Sequence, residues 1–250
     1  LEFRRVLFRS DRARQFVERN PRGPIGLLCD GAAVAVIANK GSLGGTFSAS
    51  SGAAPLFRAA CIGTAKRGCL RFDGVNDVLV SSLPASSWTF LHSAAYTCSA
   101  LVRFPIYSSE KTHVIMATAG TATSQRGFTF ANDDAVSAEE RLRVEQKNGG
   151  STTNNRIAQN GFFTPQLWNR LAVTFDPTLS SNKITGYLNG SSLAVSGAET
   201  ATPSTLAPSN TLALGAFGNV TAGFLDGDLV DVVCYASTLD PAELAALDEI

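Results

Sequence analysis

The stretch WNRLAVTFDPTLSSNKITGYLNG, residues 168–190, decides the fold class. Leu171, Val173 and Phe175 alternate with Ala172 and Thr174, the two-residue period of a half-buried strand. Asp176-Pro177 breaks that strand, because proline has no N–H to give to a ladder. Ser180-Ser181-Asn182 supplies turn residues, and the alternation resumes from Ile184 to Leu188. Asn189-Gly190 closes the stretch with a two-residue hairpin signal, since a type I′ turn needs two residues at positive φ. The stretch therefore reads as paired antiparallel strands and contains no catalytic constellation.

Similar strands extend outward from it. Tyr96, Cys98, Ala100, Val102 and Phe104 share one face of a strand, with Thr97, Ser99 and Arg103 on the other. Leu70 to Val80 holds two strands around the turn Phe72-Asp73-Gly74-Val75-Asn76-Asp77. Short strands are also expected at 32–38, 113–117, 127–130, 142–146, 156–159, 211–214 and 229–235. Their spacing, with Gly, Asn and Ser between them, indicates a sandwich rather than βαβ units. One helix is marked at the end: Asp240 as N-cap, Pro241 at the first position, Glu243 closing a capping box, and Leu239 with Leu244 as a staple.

The 250 residues carry 21 basic and 21 acidic side chains, so no long-range field favours nucleic acid. No apolar run approaches the roughly 18 residues of a membrane span, so no membrane insertion is expected. Of the five cysteines, Cys98 and Cys234 fall in apolar strand patterns and read as buried thiols. The spacing allows Cys61 and Cys69 to pair across a hairpin but does not establish it. No C-x-x-C occurs, and His92 and His113 are too few for a zinc site.

Residues 1–10, LEFRRVLFRS, sit apart from the rest and have no strand or turn context. The adapter-type DNA string CTG GAG TTC AGA CGT GTG CTC TTC CGA TCT encodes them codon for codon, so they read as a translated sequencing adapter; an expression scar or a targeting segment is the alternative. Three arginines and one glutamate leave with them, and the remainder carries a net charge of −2. Residues 11–24 read as a linker or frayed helix, and 25–250 as a single domain.

Five segments in order resemble the laminin-G-like, concanavalin A-like jelly-roll superfamily, in its bacterial or phage type. They are LRFDGVND (70–77), YTCSALVRF (96–104), WNRLAVTFD (168–176) with YLNG (187–190), LALG (212–215), and DGDLVDVVCYASTLDPAEL (226–244). The chain departs from the pattern at Leu28-Cys29-Asp30, where tryptophan is common, and at Asp231, where many members have glutamate. The resemblance implies an all-β, two-sheet antiparallel jelly-roll sandwich with a short C-terminal helix. It also implies a recognition module for carbohydrate or a cell-surface partner, often with calcium. Such modules belong to secreted, surface or phage proteins, so the expected location is extracellular, cell surface or virion. The rivals are a purely structural phage or surface component, and the accessory domain of a truncated glycan-active enzyme.

The enzymes of that superfamily are glycoside hydrolases with E-x-D-x-E or E-x-D-x-x-E on one strand face, and neither string occurs here. The nearest acidic cluster, Glu139, Glu140 and Glu145, alternates with arginines and reads as a solvated strand edge. Two histidines and no G-x-S-x-G elbow give no sign of Ser-His-Asp chemistry, so a non-catalytic protein is expected. Calcium needs converging oxygens. Asp73 with Asp77, Asp226 with Asp228, and Asn132-Asp133-Asp134 are the candidates, although Asp73 and Asp226 both precede glycine, as turn-forming aspartates do. Trp88 and Tyr107 are the expected exposed rings for a sugar face, and Asn132, Asp133 and Asp134 the expected polar contacts beside them; Trp168 is expected in the core or rim.

Overall fold

The computed structural model describes residues 4–9, 30–62, 67–105, 111–122, 124–133, 141–149, 153–158, 164–196 and 204–247. Two antiparallel sheets face each other. The first runs in the order Ser191–Leu193 (β14), Ile184–Leu188 (β13), Asn169–Phe175 (β12), Tyr96–Arg103 (β7), Asp226–Tyr235 (β17), Arg67–Asp73 (β5) and Leu56–Ile62 (β4). The second runs Val195–Ser196 (β15), Thr153–Ala158 (β11), Leu142–Asn148 (β10), Arg126–Asp133 (β9), Thr112–Ala117 (β8), Ala213–Leu214 (β16), Leu79–Ser81 (β6), Thr46–Ser48 (β3) and Val36–Ala38 (β2). Two short α-helices accompany the sheets, Phe90–Ser93 (α1) and Pro241–Ala246 (α2). The expected all-β two-sheet sandwich with a C-terminal helix is what the chain adopts.

The strands form where the alternation places them, because one face of each must leave water. From the first sheet, Tyr96, Cys98, Ala100 and Val102 of β7 and Leu171, Val173 and Phe175 of β12 point into the core. Phe128, Phe130, Met116, Leu142 and Val144 meet them from the second. The Tyr96 ring packs edge-on against Phe128 at 5.2 Å, and its hydroxyl accepts from Gln146 Nε2 at 3.2 Å. β12 is buried on both faces rather than one. Its outward Ala172 lies under Val233, Tyr235, Leu239 and Leu244, a second apolar cluster to which α2 contributes Leu244. The capping box at Asp240 and Glu243 is present, and Thr97 Oγ1 accepts from Leu239 N at 2.8 Å, anchoring the approach to α2.

Turns follow their side-chain chemistry. Asn189 and Gly190 take φ of 48° and 79°, and Leu188 pairs with Ser191 across them. The Asp73–Asp77 turn carries the chain from β5 in one sheet to β6 in the other.

Two expectations are corrected here, and one left open is settled. Cys98 and Cys234 are not thiols: they stand directly opposite on β7 and β17, with Cα atoms 4.2 Å apart, and form a disulfide. Cys61 and Cys69 form a second one. Glu145 is not on a solvated edge, because β10 lies between β9 and β11; it is buried, 3.5 Å from Lys147 Nζ and 3.6 Å from Arg143 Nη2. Arg4–Arg9 (β1) is extended and pairs with the second half of β17. An extended segment beside an open edge satisfies both backbones whatever its side chains, so this pairing does not depend on where the ten residues come from. Residues 11–24 and Cys29 lie outside the described residues.

Candidate functional site

β7, β17 and β5 are neighbours, and the register places Asp228 opposite Arg103 on one side and Arg71 on the other. All three side chains project from the outer face of the first sheet, so a single rung reads Arg103, Asp228, Arg71. Asp228 is 1% exposed and accepts from Nε and Nη2 of both arginines. The Arg71 Nη2 contact is 2.7 Å, and the Arg103 Nε contact is 2.9 Å. Gly227, at φ 152°, lets the strand come this close: a Cβ there would lie 2.7 Å from the Arg103 carbonyl oxygen. Above the rung opens a cavity of about 370 Å³, lined by Arg71, Arg103, Phe104, Gln166, Asp226 and Asp228 among others. At its side the Trp168 ring lies under the Arg103 guanidinium, 5.0 Å from centroid to Cζ. Trp168 Nε1 donates to the Cys61 carbonyl at 3.1 Å, so the ring is rim structure rather than free platform.

A register shift between Leu229 and Asp231 changes the face count in β17. It returns Asp231 to the outer face with Asp226 and Asp228, while Leu229, Val232 and Cys234 stay in the core. Asp231 is buried and bonded to both Nη atoms of Arg170, and Arg170 Nη2 also donates to the Leu247 carbonyl at 3.2 Å. Three carboxylates thus share one strand face, and two of them are held by arginines.

Burial pushes the Asp226 carboxyl above its ordinary range, with Asp73 and Asp228 adding to the rise while Arg71 and Lys111 oppose it. The hydrogen bond to Asp228 raises Arg71 despite partial burial. Burial works against ionised Asp73, but N–H groups of Val75, Asn76 and Asp77 bond to it and hold it below the usual carboxylate range. Burial and the Asp73 charge push Asp77 up.

Behind the site, His113 is buried, with Nδ1 3.0 Å from the Phe224 carbonyl oxygen and 3.2 Å from Asp226 N. Burial pulls its pKa down to about 4, and burial lowers that of His92 as well. An unfolded imidazole titrates near ~6.5, so the unfolded chain takes up the proton first. The stability from neutral His113 is complete above about pH 6.5 and is lost as pH falls towards about 4, roughly 3 kcal/mol in all. Asp77 and Asp226 act in the opposite sense at the acid end. The contribution is therefore read by difference: urea midpoints of the natural chain and His113→Gln are expected to converge as pH drops from 7.5 to 4.5. Parallel profiles would refute it.

Asp226 and Asp228, singled out from sequence as calcium candidates, line the cavity, whereas the described residues expected to contact a ligand lie elsewhere. Trp88 is not an exposed ring: the turn Ala85–Trp88 tucks it fully into the core, 6.2 Å from Phe47. Asn132 is buried and accepts the Arg141 N–H at 3.1 Å. Asp133 is buried, bonded to Thr112 Oγ1 at 3.1 Å and 3.5 Å from Arg143 Nη1. Both side chains are engaged within the protein, and Tyr107 and Asp134 lie outside the described residues. Three of the calcium candidates, Asp73, Asp77 and Asp228, already have oxygens engaged within the protein. Asp73 and Asp77 accept backbone N–H groups, and both oxygens of Asp228 face guanidinium groups. Among the described residues no group of three His, Cys, Asp or Glu side chains converges. Arg71, Arg103 and Gln166 were missed from sequence, although each arginine sits on the outward positions of a well-marked strand.

The model of the family described as the concanavalin A-like lectin/glucanases superfamily matches residues 72–245. The chain belongs to this superfamily. No curated protein sequence matches it. Among solved structures it is similar to the binding domain of Paraclostridial Mosquitocidal Protein 1, at 13% identity and TM-score 0.58, over 87% of this chain and 50% of that one. It is also similar to the botulinum neurotoxin serotype G binding domain, at 12% identity and TM-score 0.52, over 86% and 50%. A third is a Ruminococcus gnavus sialidase module, CBM40, at 18% identity and TM-score 0.48, over 64% and 84%. The chain spans about half the length of the two toxin domains. Among the described residues no helix is long and apolar enough to cross a membrane.

Proposed function

We propose that the domain is a non-catalytic recognition module that binds carbohydrate in the cavity above the Arg103–Asp228–Arg71 rung. The carrying observation is the convergence of two guanidinium groups, Gln166 and Asp226 on one open cavity beside Trp168. Fixed donors and acceptors on a partly apolar wall suit a ligand covered in hydroxyls. The family's description spans lectins and glucanases, and the state of the carboxylates favours the first. Glycoside cleavage needs one carboxyl to donate a proton and a second free to attack or to activate water. Asp226, Asp228 and Asp231 have the shared face for this, but Asp228 and Asp231 are ion-paired to arginines.

The two disulfides support a location outside a reducing cytosol, in a secreted or surface-exposed protein. A glycan array probed with the purified domain, with and without calcium, tests the proposal. Binding to a defined glycan class is expected, weakened at least tenfold by Gln166→Ala or Asp226→Ala, with no release of shorter sugars on incubation. Binding that neither substitution affects, an array with no signal, or hydrolysis of the bound glycan would each overturn it.

A further inference from the structure

One guanidinium would neutralise Asp228, yet two are committed to it. Each gives Nε and Nη2 to the carboxylate. That leaves both Nη1 groups without a partner among the described residues, on side chains that are 42% and 31% exposed and line the cavity. Asp228, at 1% exposure, is itself inaccessible to ligand. The rung therefore presents one surplus positive charge with directed donors.

The groups that hold it are unusually well fixed for a surface feature. Arg103 lies between Asp228 and the Trp168 ring, and Trp168 is bonded to the Cys61 carbonyl. Cys61 is tied by its disulfide to Cys69, two residues before Arg71 on the same strand. A planar fork with little freedom left loses little entropy on meeting a planar or tetrahedral oxyanion. Purely structural arginines would need neither the second guanidinium nor the aromatic backing.

We infer that the cavity is selective for acidic saccharides, seating a carboxylate or sulfate group against Arg71 and Arg103 while Asp226 and Gln166 meet the hydroxyls of the same sugar. This rests on the recognition reading above and names its ligand class. The cavity, at about 370 Å³, falls within the range of roughly 300–1,000 Å³ typical of small-ligand sites. The charged groups around Asp226 are Arg71, Lys111, Asp73 and Asp228. Asp73 spends its charge on the backbone N–H groups of its own turn. Asp226 is then the one carboxyl in the cavity that opposes an anion.

The test is calorimetric titration of the full chain with three trisaccharides: neutral galactose, galacturonic acid and sulfated galactose. At least one acidic sugar is expected to bind ten times or more tighter than the neutral one, and the two acidic arms tell carboxylate from sulfate. Arg71→Gln, which leaves Asp228 paired with Arg103, should bring acidic and neutral sugars within twofold. Arg103→Lys should cut the preference as well, because a lysine keeps the charge and loses the fork. Asp226→Asn should strengthen acidic binding several-fold, and thermal melts identify any variant that fails to fold. Equal affinities in the natural chain, or a preference that Arg71→Gln leaves intact, overturns the inference. Equal binding of all three sugars that Gln166→Ala weakens would leave the recognition reading in place; no binding by any of the three at millimolar concentration overturns both.

Discussion

Replacing Asp231 with alanine is expected to destabilise the domain by about 3–5 kcal/mol, the range for leaving a buried charge without its counter-ion. The pair it breaks is the most enclosed in the described structure, with Arg170 and Asp231 side chains 6% and 3% exposed. Both Arg170 Nη atoms bond to the carboxylate, and Nη2 reaches on to the Leu247 carbonyl. The pair therefore joins β12 to β17 across β7 and connects both to the chain just after α2. Without the carboxylate the guanidinium remains in a place built to exclude water. The Asp228 cluster should respond less to Asp228→Ala, because Arg71 and Arg103 can turn to solvent. Urea unfolding measures both as shifts in midpoint at constant slope. The double variant Arg170→Met/Asp231→Leu separates an uncompensated charge from a lost attraction: it should recover most of the single variant's deficit. A double variant as unstable as Asp231→Ala, or a single variant costing less than about 1 kcal/mol, would refute the argument.

That pair also shows where sequence reasoning stops. The alternation in β7 and β12, the Asn189-Gly190 hairpin and the Asp240 capping box are local, so the residues that cause them lie within a few positions of one another. The site is not local. Its central rung needs the register of three strands whose members are 157 and 125 residues apart in sequence, and no short pattern encodes that register. The shift at Leu229 to Asp231 hides the acidic face of β17: a strict two-residue period puts Asp231 opposite in sense to Asp226 and Asp228. Trp88 misled because loop position was read as exposure, whereas a single turn of 3₁₀ helix carries the ring into the core. Cys98 and Cys234 misled for the reason the rung did. Apolar flanks describe burial on each strand separately, and only the pairing of β7 with β17 brings the sulfurs together.

The pairing has a consequence that the other disulfide does not share. Cys98 and Cys234 close a loop of 136 residues, for which the chain-entropy account gives roughly 5 kcal/mol of restraint on the unfolded state; the eight-residue separation of Cys61 and Cys69 gives about half as much. The Cys98→Ala/Cys234→Ala double variant is therefore expected to be the less stable of the two. It also removes two sulfurs from a site where both side chains are fully buried and Cys234 Sγ lies 3.9 Å from Met116 Sδ. The effect on ligand should run the other way. Cys98 faces the core, whereas Cys61 carries the carbonyl that holds Trp168 beneath Arg103. Cys61→Ala/Cys69→Ala should thus lower urea stability less and acidic-sugar affinity more. Two unfolding curves and two titrations decide it, and the explanation fails if the short-loop variant is the less stable or if sugar affinity falls in step with stability in both.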